Sequence, residues 1–571
     1  MTHKTFKILT SFFLLLFVAS LNADPLVTRD DFICYDTTGN LLSNSWNYVN
    51  MHEDGTLSQI NCMLTPLNLF EYSYTYQFNR FDKFGNQTQP VINFLPDTVN
   101  EDTTWLVAAR LECYTNNNGI TFIPAVGDLE SSFVAPYNNM LGYLFDSTGN
   151  QIGERICFDC DMSYESYVLN SFVCGDISDD NILGIVWYFA MVGQSPYHDS
   201  IYVRFYYMNE DSLSDPIKIT DLPMPLPHNG VYKLPSLKIA QDSSFVISWV
   251  DQQYYRTFYV AYNSDMTQKY PVQIAECMDG DSTNCTPVPH PQFQDMVMEA
   301  DGDFYITWCG PYLSEPTCVN VRQVWVRGFN ADGTPKYDPM IVNDFDSLYI
   351  CAGEDIWPHI ACDDSGNVLV IWSDARDYPG YNVYGATKRN VYAQKIDPDG
   401  NFVGPNYRLN NNIGEAGWFG RGTQCDMNNS GQAVMMWRNV NMDYRVWAQL
   451  MPYHDIGTFI PGDINLSMST SIEDLTYFIN YLFKNSDANF WPRDLVDLNG
   501  DSANGNIADL TYLVSYFFKG GSVPKTPYEG IREEVVHTFG FDPNSTSEVT
   551  DPTPFKTTEP KTYSDSVGIL R

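Results

Sequence analysis

The feature that most constrains the fold of this chain is a pattern that recurs about every 60 residues. Each copy begins with an Asp or Asn and a turn residue, continues with alternating apolar residues, and ends in an aromatic residue. The clearest copies span 301–308, 364–372 and 429–437, and the weakest begins at Asp54. Six aromatic ends are spaced 65, 62, 59, 64 and 65 residues apart: Phe122, Trp187, Trp249, Trp308, Trp372 and Trp437.

A second apolar segment follows each copy. These segments are 76–81, 141–145, 202–207, 258–262, 324–329, 391–396 and 446–450. Several of them turn through an Asp and a Gly: Asp82/Gly85, Asp146/Gly149, Asp332/Gly333 and Asp399/Gly400. Alternation bounded by such turns is typical of antiparallel hairpins, and about four short strands per period suit one propeller blade. Seven copies therefore predict a mainly β chain with a seven-bladed β-propeller over residues 24–455.

Closing the ring explains why the repeats would assemble. One blade cannot bury both faces of its sheet, whereas neighbours in a ring bury them all and leave only short edges. The aromatic ends are then expected in the core between blades, the alternative being a platform on which a ligand stacks. Two or three consecutive β-sandwiches are the rival architecture, and the even spacing favours the ring.

The repeated turn resembles a loose version of the Asp-box of sialidase-type propellers. The likeness covers only the turn and the strand after it. The Ser or Thr expected before the Asp is absent from the clear copies, so the activity of that family is not implied. The Asp is expected to cap its own turn.

Ligand-binding loops are expected on the face opposite the Asp–Gly turns, provided that the motif strand is the second of its blade. These segments are 188–200, 250–257, 309–323, 373–390 and 438–445. Within them, Asp374 and Arg376 either grip a sugar or a substrate acid or form a salt bridge within one loop. No catalytic motif is present, so catalytic residues stay unknown. A hydrolase of O-glycosyl bonds needs only two carboxylates, whose separation a sequence does not reveal.

A duplication near the C-terminus predicts a small all-α domain over residues 456–525. The tetrapeptide at 474–477, Asp-Leu-Thr-Tyr, recurs at 509–512, 35 residues later. Apolar residues at helical spacing predict one stripe on each of two facing helices. They are Ile472, Leu475, Phe478, Ile479, Leu482 and Phe483, then Ile507, Leu510, Leu513, Val514, Phe517 and Phe518.

A loop of oxygen-bearing residues precedes each helix and predicts a Ca²⁺ site, since calcium takes six to eight oxygen ligands. The first loop offers Asp463, Asn465, Ser467, Ser471 and Asp474. The second offers Asp497, Asn499, Asp501, Asn506 and Asp509. Metal binding would supply part of the folding energy of so small a unit.

These paired loop–helix units, with Asp at both loop ends and an Asp-Leu helix start, resemble dockerin type I repeats. The resemblance implies docking to a cohesin-like domain of another secreted protein and an association with polysaccharide catabolism. Three features depart from it: an extra residue in the second loop, Ser467 and Met468 in the first, and no Ser-Thr pairs before Asp474 and Asp509. An EF-hand pair, which would need a Glu at position 12 of each loop, and a metal-free helical hairpin are the alternatives.

The N-terminus predicts export. Lys4 and Lys7 precede an almost wholly apolar segment, 8–19, and Ala23 provides a small residue for cleavage, so residues 1–23 are interpreted as a signal peptide rather than an uncleaved anchor. The protein is therefore expected to be secreted or at the cell surface, with no membrane span in the mature chain. A net charge of −38 argues against nucleic acid as a partner. The polar residues 526–571 are expected to form a disordered tail.

Thirteen cysteines in an exported chain suggest disulfides. Cys277 with Cys285, and Cys309 with Cys318, are close enough in sequence to clip loops. Cys157 and Cys160 form a C-x-x-C that is redox-active, half of a zinc site, or two ends of different bridges.

Two hypotheses for the whole chain follow: a tethered recognition protein whose propeller binds a ligand such as carbohydrate, or a dockerin-bearing glycoside hydrolase.

Overall fold

The computed structural model describes residues 32–35, 47–66, 72–83, 85–89, 92–94, 112–127, 139–162, 168–191, 200–219, 232–251, 256–276, 293–311, 322–343, 358–374, 390–409, 423–438, 446–456, 462, 464, 470–484, 498–499 and 505–524. The predicted signal peptide and tail lie outside these residues. Neither helix in the described part of the chain has the length and apolar character needed to cross a lipid bilayer.

The repeated hairpins form seven antiparallel sheets of four or five strands, which we number as blades 1 to 7. The first strand among the described residues, β1 (Phe32–Tyr35), belongs to blade 7. Blade 1 contains β2 (Asn47–Met51), β3 (Leu57–Pro66), β4 (Tyr72–Phe81) and β5 (Ile92–Phe94). Blade 2 contains β6 (Tyr114–Thr115), β7 (Thr121–Gly127), β8 (Asn139–Phe145) and β9 (Ile156–Cys157). Blade 3 contains β10 (Val168–Ile177), β11 (Ile182–Met191), β12 (Ser200–Tyr207), β13 (Ser212–Leu213) and β14 (Ile217–Lys218).

The remaining blades repeat this order. Blade 4 contains β15 (Tyr232–Ile239), β16 (Phe245–Asp251), β17 (Arg256–Tyr262) and β18 (Gln273–Ile274). Blade 5 contains β19 (Phe293–Met298), β20 (Phe304–Pro311), β21 (Arg322–Phe329) and β22 (Met340–Ile341). Blade 6 contains β23 (His359–Cys362), β24 (Val368–Asp374), β25 (Asn390–Ile396) and β26 (Phe402–Arg408). Blade 7 contains β27 (Thr423–Met427), β28 (Gln432–Arg438) and β29 (Val446–Pro452), followed by a 3₁₀ turn at Tyr453–Asp455.

The seven blades close into a ring. The first strand of each blade contacts the first strand of the next, and β27 of blade 7 contacts β2 of blade 1. Strand β1 pairs antiparallel with β29, with Phe32 opposite Ala448, so the N-terminal strand completes the last blade. The predicted seven-bladed propeller is confirmed, and consecutive β-sandwiches are excluded.

The aromatic end of each repeat lies on the second strand of its blade and is buried. Trp187, Trp249, Trp308 and Trp372 have no exposed surface. Each is directly opposite another aromatic residue on the third strand, for example Trp308 opposite Trp325. Such aromatic pairs add to the hydrophobic stabilisation of a sheet. These residues are therefore core, and the ligand-platform alternative is wrong for them.

Turns between the third and fourth strands pack against the preceding blade. Gly333 has φ +82° and Gly400 has φ +83°, a conformation that side-chain-bearing residues rarely adopt. A Cβ atom at Gly333 would lie 2.6 Å from the ring of Tyr270, and one at Gly400 would lie 2.5 Å from the ring of Tyr337. Glycine is therefore required both by the turn and by the tyrosine of the neighbouring blade.

The C-terminal duplication forms two helices, α1 (Ile472–Lys484) and α2 (Ile507–Lys519). Leu475, Phe478 and Leu513 form a small core with Ile464 and Leu498, one residue from each loop. The ends of the predicted apolar stripes are not part of it, because Ile472, Phe483, Ile507 and Phe518 are exposed. In each helix the two exposed residues are eleven positions apart and so lie on one line, at the edge of the buried stripe.

Cys157 and Cys160 are joined to each other by a disulfide, with Cα atoms 5.7 Å apart. Of the three alternatives for this C-x-x-C, a bond between the two sulfurs contradicts the one in which they belong to different bridges, and it is compatible with a redox-active pair. It also leaves no thiolate for zinc, although Asp159 lies close by. Cys277, Cys285 and Cys318 lie outside the described residues, so the two predicted loop clips stay predictions.

Candidate functional site

The first strands of the seven blades contact one another in succession, so they are the innermost strands of the ring. Alternate residues of these strands are placed towards the ring axis, and we call the region that they surround the central channel. Each of these strands is followed by a turn, and we count positions backwards along the strand from the residue that begins the turn. In blade 3 that residue is Ser178, whose backbone N–H bonds to Ile182 O. Residues two positions before form the turn-side layer: Asn50, Tyr114, Asp176, Lys238, Val297, Ala361 and Asp426. Residues four positions before form the loop-side layer: Tyr48, Glu112, Cys174, Ser236, Asp295, His359 and Gln424. Period-two alternation in a strand places both layers on the same face. Glu112 precedes β6, and its contact with Cys174 places it beside the other loop-side residues.

Lys238 is the one lysine or arginine in these two layers. Its Nζ lies 4.9 Å from the centre of the Tyr114 ring, a cation–π contact from blade 4 to blade 2. Burial opposes the charged form of Lys238, but electrostatic attraction to Asp176, Cys174, Asp295 and Asp426 outweighs it, so its pKa lies above the ordinary value. An ammonium influenced by acids of blades 3, 5 and 7 must lie near the channel axis.

The channel carboxylates also join neighbouring blades. Asp176 accepts a hydrogen bond from the backbone N–H of Ile239 at 2.7 Å. Asp426 accepts one from Met51 N–H at 2.7 Å. In both cases the carboxylate bonds the first strand of the next blade, so these acids hold the ring together as well as charging the channel. Burial raises the pKa of Asp176, and it raises the pKa of Asp426 to about 6.

A second polar group lies in the loop-side layer. Asp295 Oδ2 lies 3.1 Å from His359 Nδ1 and accepts a longer hydrogen bond, 3.3 Å, from Ile360 N–H. His359 Nε2 lies 3.2 Å from the amide nitrogen of Gln424. Carboxylate, imidazole and amide are thus aligned across blades 5, 6 and 7. A carboxylate that fixes one ring nitrogen of a histidine orients the other, which here faces the amide of Gln424.

Three carboxylates lie at the turn-bearing end of the channel. Glu53, Asp179 and Asp364 accept backbone N–H bonds from Asn429, Asn117 and Ala300 of the neighbouring blades. Burial raises the pKa values of Glu53 and Asp364, and other nearby carboxylates raise them further. Each of these acids bonds to the backbone of a neighbouring blade, so together they join blades at this end of the channel. Their carboxylate charges also make this end negative.

Glu276 is another buried acid, and it makes a hydrogen bond that equivalent residues make in other blades. Its Oε1 accepts the backbone N–H of Thr257 at 2.7 Å, near the start of β17. Asp159 bonds Met140 N–H in blade 2 in the same way, and Asn343 bonds Val324 N–H in blade 5. Burial raises the pKa of Glu276 to about 7. Because the equivalent residue can be an amide, Glu276 caps a strand and its charge is not required for that role.

The loops predicted to bind ligand are described only at their ends. Asp374 is the last residue of β24 and is opposite Asn390. Arg376 lies outside the described residues, so the Asp374–Arg376 pair stays a prediction. The motif strand is the second of its blade, as that prediction required.

Half of the predicted calcium ligands fall within the described residues. Asp474 and Asp509 are fully buried at the first turns of α1 and α2. Asp474 accepts a hydrogen bond from Ser471 N–H at 2.7 Å. Asp509 Oδ1 accepts bonds from Leu498 N–H at 3.0 Å and Asn499 N–H at 3.4 Å, so the beginning of the second loop lies against its end.

Asn506 is the N-cap of α2 in the structure. Its Oδ1 accepts the N–H of Ala508 at 2.5 Å, and its own N–H bonds to Asp509 at 3.0 Å, which makes it the N-cap of α2 in a capping box. The other predicted ligands lie outside the described residues: Asp463, Asn465, Ser467, Asp497 and Asp501. Calcium at either loop therefore stays a prediction.

The channel residues are what the sequence analysis missed. Asp176, Lys238 and Asp426 each stand two residues before a turn, among apolar neighbours on the strand preceding the repeated motif. Aligning the repeats by their turns would have shown a charged residue at this position in several of them. Which blades face each other across the axis depends on ring closure, and spacing along the sequence does not show it.

No protein-family model matches this chain, and no curated protein sequence matches it. Solved structures match this chain at low identity. Polysaccharide lyase Uly1 is 9% identical, with 76% of this chain and 96% of that chain covered and a TM-score of 0.42. An α-L-arabinofuranosidase from Fusarium graminearum is 9% identical, with 76% and 99% covered and a TM-score of 0.41. An α-L-arabinanase from Penicillium chrysogenum is 12% identical, with 75% and 98% covered and a TM-score of 0.37. A likeness of this size carries no argument about substrate or residues.

Proposed function

We propose that this chain is an exported protein whose C-terminal module binds calcium and docks to a cohesin-like domain of another secreted protein. The propeller then serves as the recognition domain, and carbohydrate is the ligand class that we propose for it. In this account the module tethers the propeller to an extracellular assembly.

The observation that carries the proposal is the equivalence of Asp474 and Asp509. Both are fully buried at the first turn of a helix, 35 residues apart, and both bond to backbone N–H groups of the loop before the helix. A buried carboxylate that closes an oxygen-rich loop is well placed to neutralise a cation bound there. The small core of Leu475, Phe478 and Leu513 gives the module limited stability of its own, which a bound cation would supplement.

The polar channel supports ligand recognition by the propeller. Its layers combine carboxylate, amide, imidazole and aromatic groups, a mixture suited to hydroxyl-rich ligands. The rigid ring fixes these groups and the segments that follow each second strand, which is how loops on a stable scaffold form a binding face.

Docking is tested with the full chain on immobilised cohesin domains, in calcium and in EGTA. We expect retention in calcium, loss in EGTA, and loss in a variant carrying both Asp474→Asn and Asp509→Asn. A variant with Asp399→Asn, on an exposed propeller turn, is the matched control and should be retained. Retention that is indifferent to calcium would contradict the proposed mode of docking.

A glycoside hydrolase is the second candidate. The observation that favours it is a pair of channel carboxyl groups, Asp176 and Asp426. Burial raises the pKa values of both. A carboxyl group that keeps its proton at higher pH can act as a general acid. Incubation with a panel of polysaccharides separates the candidates. Retention without release of sugars supports recognition, whereas release that Asp426→Asn abolishes supports hydrolysis.

A further inference from the structure

The channel wall between blades 2 and 4 holds a thiol, a carboxyl, a phenol and an ammonium group together. Cys174 Sγ lies 3.0 Å from Glu112 Oε2 and 3.1 Å from the hydroxyl oxygen of Tyr114. Lys238 Nζ lies over the ring of that same tyrosine, and Cys174 is among the groups that act electrostatically on Lys238. Because the four side chains come from three neighbouring blades, closure of the ring assembles them.

The surroundings of Cys174 differ from those of other buried cysteines. Cys113 Sγ and Cys425 Sγ donate to the backbone carbonyls of Ser58 and Leu369, at 3.8 and 4.0 Å. Burial raises the pKa values of both thiols. A backbone carbonyl cannot take a proton from a thiol, whereas the carboxylate that Cys174 faces can. Glu112 has 1% of its surface exposed, so no bulk water competes with the thiol for it.

We propose that Cys174 is a reactive thiol that forms a mixed disulfide with a small disulfide entering the channel, with Glu112 accepting the thiol proton. The Tyr114 hydroxyl donates a hydrogen bond to the sulfur as negative charge develops, and the Lys238 ammonium stabilises that charge. A nucleophile, a base in hydrogen-bond contact and a nearby cation are the elements that activate a cysteine. Lys238 and Asp176 keep part of their surface exposed whereas Cys174 is 3% exposed, so the small disulfide must pass these two side chains to reach the thiol.

The exchange balances without a further reactant. The sulfur of Cys174 forms a bond to one sulfur of the small disulfide, whose S–S bond breaks. The departing thiolate takes up the proton that Glu112 received. The cysteine is oxidised to the mixed disulfide, and the released half of the reagent is reduced to a thiol.

The test uses the folded full-length chain and hydroxyethyl disulfide, a small neutral probe that the channel acids do not repel. Mass spectrometry of proteolytic peptides measures the labelling rate at each cysteine. We expect Cys174 to react at least about tenfold faster than Cys113, Cys362 and Cys425, as expected for a thiol beside a base and a cation. Equal rates at all four cysteines would overturn the proposal.

Variants separate activation from simple access. Glu112→Gln should slow labelling of Cys174 by about 100-fold, the lower range for general-base assistance. Glu276→Gln makes the same change at another buried glutamate, with no contact to Cys174, and should leave the rate within about twofold. Tyr114→Phe and Lys238→Met should each slow it less than Glu112→Gln. If Glu112→Gln fails to fold, wild-type rates in both of these variants would overturn the proposal.

Discussion

Asn50 donates a hydrogen bond of 2.6 Å from its side-chain amide to Asp426, across 376 residues of sequence. Asn50 lies on the first strand of blade 1 and Asp426 on the first strand of blade 7. The same carboxylate accepts the N–H of Met51, and Asn428 nearby bonds the carbonyl of His52. The ring is therefore closed at its axis by these side chains and at its rim by the pairing of β1 with β29.

We expect Asp426→Ala to weaken this closure. The change leaves two donors, on Asn50 and Met51, without their acceptor, and should lower the free energy of unfolding by about 2–3 kcal/mol. Chemical denaturation followed by tryptophan fluorescence measures it. Asp399→Ala, on an exposed turn, is the control and should change stability by less than about 0.5 kcal/mol. An Asp426→Ala variant as stable as that control would contradict the role of Asp426 in closure.

Asp426 also predicts a pH dependence of stability. Its pKa is raised from 3.8 to about 6 by burial, so the folded chain binds the proton more tightly than the unfolded chain between these values. Its contribution to stability is therefore fully present below about pH 4 and declines as the pH rises to about 6. Asp426→Asn should remove this component from a pH series of unfolding free energies. An unchanged difference between wild type and variant at all pH values would contradict the raised pKa.

The buried tryptophans should carry much of the stability of the ring. Trp308 has no exposed surface and is opposite Trp325, so Trp308→Ala should cost about 3–5 kcal/mol, while Trp308→Phe should cost less. Phe402→Ala is a suitable comparison, because Phe402 is half-exposed on the last strand of blade 6. Thermal unfolding of the three variants would place Trp308→Ala lowest. If Phe402→Ala were equally destabilising, the assignment of Trp308 to the stabilising core would be wrong.

The Cys157–Cys160 disulfide should have a modest structural effect. It closes a very short loop, so its entropic contribution is about 2 kcal/mol in a chain-entropy model. Between the two cysteines, Phe158 is fully buried, and its carbonyl accepts a hydrogen bond from Arg204 of blade 3. The double variant Cys157→Ser/Cys160→Ser should therefore fold, with a slightly lower melting temperature than the oxidised chain. Rapid alkylation of both cysteines in the unreduced protein would show that the bond is absent.

Much of the fold could be predicted from the sequence, because a blade is a local unit. The positions of Trp308 and Gly333 within their repeats are enough to predict a strand, a turn and a buried face. Pairings between residues far apart in the chain could not be predicted from the sequence. The sequence does not show that Phe32 pairs with Ala448, since one short strand carries no signal of its partner.

The same limit applies to the candidate sites. Cys174 and Glu112 are 62 residues apart in the chain, and only the contact between neighbouring blades brings them together. The capping role of Asn506 was not predicted, although its reason is local. Its side chain caps α2, a role that Asn at a helix N-terminus commonly has. Asp509, by contrast, lies buried at the end of its loop, where a ligand of a bound cation would be required.

Calorimetric titration of the full chain with Ca²⁺, after removal of metal with a chelator, tests the account most directly. We predict two bound ions per chain, one for each loop, and loss of one ion from Asp474→Asn and from Asp509→Asn taken singly. Absence of binding heat, or two ions still bound when both aspartates are replaced, would contradict the proposal that these carboxylates serve two calcium sites.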